Sequence, residues 1–80
     1  MDYDLDKIDD AVLALLVLTL GANGFEDCAW KGHDWDTLDR LHEKGLIADP
    51  RNRNKSVVLT EEGLARARQL FDKQFGKTRS

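Results

Sequence analysis

Cys28, His33 and His42, with Asp34 between them, are the residues of this chain whose types could do chemistry. A thiol and two imidazoles can hold zinc, and a thiolate beside an imidazole can act as a nucleophile. Their spacing supports neither use. No Cys-x-x-Cys or His-x-x-x-His pair occurs, and no glycine-framed nucleophile or oxyanion motif accompanies the cysteine. A lone cysteine also excludes an intrachain disulfide and suits a reducing compartment. The sequence therefore predicts no catalytic residue, no metal, no cofactor and no small-molecule ligand; the protein reads as a non-enzyme.

Charge offers a second kind of chemistry. Arg51, Arg53 and Lys55 crowd the turn-forming stretch "DPRNRNK" and are candidate nucleic-acid contacts. Three phosphate contacts alone would give a salt slope of about −2.7 and sequence-blind binding. The same cations on a solvated tip would simply discourage edge pairing. Just upstream, "DWDTLDRLHEK" points the other way. With Trp35, Leu38 and Leu41 turned inward, its outer face carries Asp36, Thr37, Asp39, Arg40, Glu43 and Lys44, led by Asp34. Such a face repels a phosphate-lined groove and suits a basic protein partner. Asp36, Asp39, Arg40 and Glu43 are the candidate partner-binding residues. Trp30 joins them if exposed, since tryptophan is enriched at binding hot spots; otherwise Trp30 and Trp35 clamp the "KGHD" loop onto the core.

The elements that must position these groups follow from periodicity. Leu5, Ile8, Val12, Leu15 and Leu16 trace one face of a first helix running from about Asp4 to Leu20. Leu13, Val17, Leu18 and Leu20 fill its other sides, and a helix apolar all round is central or covered by a second molecule. Leu13, Val17 and Leu20 are accordingly the candidate dimer interface. Residues 21–33 are too glycine-rich for more than a helical turn near Glu26 to Trp30. Asp34 caps the second helix, and Gly45 closes it in a left-handed conformation with Leu46 folding back onto Leu41. Leu46 to Ala48 and Ser56 to Leu59 form a hairpin; Thr60 then caps a helix with Leu64, Ala67, Phe71 and Phe75 along its stripe, and Gly76 follows. The core gathers Leu15, Leu16, Leu38, Leu41, Phe71, Val57 and Leu59.

Eighty residues with 41% hydrophobic and 34% charged content suit one domain, residues 1–76, with a flexible tail at 77–80. The run Ala11 to Leu20 is too short for a bilayer and follows an acidic segment rather than a basic leader, so a cytoplasmic location is expected. The net charge of −3 hides an asymmetry. Residues 1–50 hold 12 acids against 4 bases, and residues 51–80 hold 3 against 8.

"LHEKGLI" followed by "VVLTEEG" resembles the winged helix-turn-helix of the multiple-antibiotic-resistance and phenolic-acid-decarboxylase regulators. Over nearly its full length, through "DYDLDKIDDAVLALLVLT", "AWKG", "DWDTLDRLHEKGLI" and "KSVVLTEEG", the chain also resembles a small bacterial family of uncharacterised proteins. The first resemblance implies a mostly α, α+β domain with three helices and a small antiparallel hairpin wing. The expected function is a non-enzymatic module binding protein, itself included. The alternative is a DNA-binding regulator acting through the wing and the basic C-terminal helix.

Overall fold

The computed structural model describes residues 3–21, 24–51 and 55–77. It is mostly helical, with three helices and a two-stranded antiparallel sheet. Helix α1 spans Leu5–Leu16 and passes into a single 3₁₀ turn, Val17–Thr19. Asp4 caps its start, accepting from the Lys7 amide at 3.1 Å. Helix α2 spans Trp35–Glu43 beneath the Asp34 cap, and α3 spans Glu61–Phe75 beneath Thr60, whose hydroxyl accepts from the Gly63 amide. Each cap satisfies an amide that the helix itself leaves unpaired.

The close of α2 follows the expected form. Gly45 takes φ +76°, its amide donates to the His42 carbonyl, and the Leu46 amide reaches back to Leu41 at 3.0 Å. This double return is a Schellman motif, and it delivers Leu46 and Ile47 to the core.

The sheet differs from expectation in its partners. Strand β1, Cys28–Trp30, lies where only a helical turn was expected, and it pairs with β2, Ser56–Val58, in the register Ala29↔Val57. The expected hairpin is reduced to one bridge, Ile47↔Leu59, with the Ala48 amide donating to Val58. Ala29, Val57, Ile47 and Leu59 all face inward, so the sheet is held by its buried side as much as by its short ladder.

Helix α1 is turned otherwise than its apolar spacing suggests. Leu13, Ala14 and Leu16 are buried together with Asp9, whereas Leu5, Ile8 and Leu15 are exposed. Leu15 is thus not the core residue expected, and Leu13 is completely buried rather than free for a dimer partner. Val17 and Leu20 are half-buried against the core. Leu16, Leu38, Leu41, Val57 and Leu59 do form that core, with Ala67 from α3. Phe71 is only half-buried and meets the exposed Phe75 in a tilted ring contact, centroids 5.3 Å apart.

Helix α3 approaches the chain closely at one point. Gly63 lies against the Leu46 backbone, where any Cβ would overlap the Leu46 carbonyl oxygen. That oxygen also accepts from the Thr60 amide, so it cannot retreat freely. Gly63→Ala should therefore destabilise the domain by about 1–3 kcal/mol despite alanine's better helix propensity. Thermal unfolding followed by circular dichroism should show a Tm lower by roughly 5–15 °C.

Candidate functional site

Asp9 sets the electrostatics of the domain. It is fully buried in the middle of α1. From α2, the Arg40 guanidinium grips it through Nε, at 2.8 and 3.0 Å from its two oxygens, and through Nη2 at 2.8 Å. Lys44 adds a third partner at 2.9 Å and also reaches Asp6 at 3.0 Å. The network continues outward. Arg40 Nη2 donates to the buried Thr37 hydroxyl, and that hydroxyl donates to Asp34, the cap of α2.

Burial is the largest single influence on Asp9 and would raise its pKa. The hydrogen bonds and positive charges of Arg40 and Lys44 together outweigh it and hold the carboxyl below its ordinary 3.8. The Asp9 hydrogen bond correspondingly raises Arg40 and Lys44. Arg40, expected on the partner-facing side, is therefore drawn onto Asp9, as is the ammonium of the still-exposed Lys44, because an unpaired buried carboxylate would be far costlier than their desolvation. Asp34, Asp36 and Glu43 are exposed along α2, beside Trp35 and His42 and with Lys44 exposed but ion-paired.

The other cation of this region is also engaged. Arg51 lays its guanidinium on Asp39, Nε at 3.2 Å and Nη2 at 2.6 Å. That hydrogen bond lowers the Asp39 pKa and raises that of Arg51. Arg51 and Lys31 also stand over the Trp35 ring, 5.5 and 5.7 Å from its centroid. Trp35 is thus half-exposed and flanked by cations rather than turned into the core as expected. Lys55 is exposed, and Arg53 lies outside the described residues.

Trp30 is 54% exposed. Its amide donates to the Thr19 hydroxyl at 3.0 Å, and its partner across the ladder is Ser56. Val58, on the same outer side of the sheet, is also exposed. The residues with chemical potential stay apart. Cys28 is buried and leans on Asp27, and His42 Nδ1 lies 3.0 Å from the Ile47 carbonyl. Among the described residues no group of histidine, cysteine and carboxylate side chains is placed to hold a metal ion. A shallow groove between Glu26, Asp27, Glu61, Leu64 and Arg68 contains neither histidine nor cysteine. Among the described residues, no helix is long and apolar enough to cross a membrane.

Residues 4–77 match the family described as Domain of unknown function (DUF6429). The chain belongs to that family. It is also similar to a Sinorhizobium fredii (strain NBRC 101917 / NGR234) protein described as "Uncharacterized protein y4hR". The two are 64% identical over 75 residues, covering 94% of this chain and 97% of that one. No solved structure matches.

The buried carboxylate has a consequence in acid. A group whose folded pKa lies below its unfolded one stabilises the fold above the unfolded value, and the contribution disappears as pH falls through the folded one. Stability should accordingly decline as the pH drops from about 5 to below 4. Asp9→Asn should remove part of that decline and cost about 1–3 kcal/mol at neutral pH, where Arg40 and Lys44 lose their partner. Urea unfolding across that pH range, comparing both proteins, measures the two effects.

Proposed function

We propose that this domain is a non-catalytic, cytoplasmic interaction module of winged-helix type that binds protein, and that its partner surface is basic. One observation carries the reading: Arg40 and Lys44 are ion-paired to the buried Asp9, while Asp34, Asp36 and Glu43 stand exposed along α2. The order of helix, strand, helix, bridged segment, strand and helix suits a winged helix. In readers of that type the second helix enters the major groove and offers its N-terminal residues to base edges. Here those residues include Asp34 and Asp36, and Arg40 and Arg51 beside them are bound to carboxylates. Arg51 would have to leave Asp39 to hold a phosphate. The exposed Trp30 supplies the amphipathic anchor that protein interfaces favour.

Fluorescence anisotropy at about 0.15 M salt distinguishes this reading from its alternative, a DNA-binding regulator. A labelled lysine- and arginine-rich peptide should bind. Trp30→Ala, and separately Asp36→Lys with Glu43→Lys, should each weaken it by roughly tenfold or more. Random duplexes should bind weakly and lose that binding as salt rises. Nanomolar, sequence-selective binding from a pool of duplexes at the same salt would establish the DNA reading instead.

A further inference from the structure

Trp35 and Asp39 lie one turn apart on α2, so the ring and the carboxylate project from the same ridge of the helix. Together they already hold a guanidinium. Arg51 donates to both Asp39 oxygens, from Nε at 3.2 Å and Nη2 at 2.6 Å, while its Cζ lies 5.5 Å from the Trp35 ring centroid. Forked pairing with one carboxylate and contact with an aromatic ring are the two features that most separate arginine from lysine. We propose that Trp35 and Asp39 form the site at which the basic partner seats an arginine, and that Arg51 fills this site in the free chain as an internal competitor. The inference rests on the proposed interaction reading and deepens it, naming the partner's side chain and what governs its entry.

The core does not depend on this contact. The Arg51 side chain is 63% exposed and that of Asp39 33%, so their separation uncovers little apolar surface. The backbone beside Arg51 is held independently. Pro50 is fully buried, its carbonyl accepts from Lys31 Nζ at 2.7 Å, and the Arg51 amide donates to Asp49. The guanidinium can therefore swing away while the chain stays in place. Lys31, the other cation beside the ring, is anchored on that same carbonyl.

Charge selects the occupant. Glu43 stands one turn further along the ridge, and Asp36 stands beside it; both are exposed. Among the described residues neither is ion-paired. An arginine from outside thus meets a site that already fits a guanidinium, with two further acids that Arg51 leaves unneutralised. A lysine meets the same charge without the fork geometry, and a phosphate meets only repulsion. An exposed ion pair is weak, so Arg51 hinders the site without closing it. Freeing the site should strengthen an arginine-bearing ligand about fivefold, the factor by which such a competitor lowers the open population.

Fluorescence anisotropy tests this with two labelled peptides of equal length and charge, one with arginine and one with lysine as its only cation. Arg51→Gln should tighten the arginine peptide about fivefold and the lysine peptide less than about twofold. Lys55→Gln, the same loss of charge at another exposed position, should change both less than about twofold. Adding Trp35→Leu to Arg51→Gln should abolish the gain; should that variant unfold, Asp39→Asn on Arg51→Gln gives the same reading. Quenching reports on the contact without a partner. In Trp30→Phe, where Trp35 is the remaining tryptophan, Arg51→Gln should raise quenching by acrylamide. Equal gains for the two peptides, or no rise in quenching, would overturn this inference and leave the interaction reading intact. Failure of both peptides to bind any of these proteins would overturn that reading and the inference with it.

Discussion

The Asp9 carboxylate, out of reach of water in the middle of α1, constrains most of what surrounds it. A buried charge of this kind persists only when cations and hydrogen bonds replace its lost hydration. Arg40 of α2 supplies a planar fork, and Lys44, the residue that caps the end of that helix, a compact third donor. An Arg fork also specifies direction, since its nitrogens must meet both oxygens of one carboxylate. The α1–α2 rotation is consequently tied to a polar geometry and not only to the packing of Leu13 against the other core residues. Thr37 and Asp34 extend the constraint to the first turn of α2.

The same interaction decides the sign of the surface. Counted along the chain, α2 looks nearly balanced. In the folded molecule Arg40 and Lys44 are committed to Asp9, whereas Asp36 and Glu43 are exposed. Arg51 repeats the pattern at the start of the segment linking the core to β2, where Asp39 and the Trp35 face hold the guanidinium from two sides. The sign that a helix displays is thus set by which of its charges the buried groups consume, and function resides in the groups a fold displays and not in the fold.

Local signals were the legible part of this chain. Asp34, Thr60 and Gly45 each act through groups within a few residues, so their identities announce helix ends directly. Strand β1 was not legible for the opposite reason. Three residues offer no alternation to count, and Cys28–Trp30 become a strand only because Val57 and Val58 arrive from far along the chain. The Asp9–Arg40 pair joins residues 31 positions apart, beyond any periodic reading. On α1 the apolar period was visible but its direction was not. Leu5, Ile8 and Leu15 looked like the core side until Asp9 proved to be on it. A usable signal was Arg40 itself, the one arginine in an otherwise acidic helix.

Asp9 also relates two surfaces of the domain to each other. On α1 it stands beside the exposed Leu5 and Ile8; across the interface its partners are Arg40 and the cap residue Lys44 of the helix that carries Asp36 and Glu43. The outer side of α1 and the acidic face are therefore separated by a single layer of ion-paired side chains. Ion pairs with fixed hydrogen-bond geometry resist sliding more than aliphatic packing does, because displacement breaks several directional bonds at once.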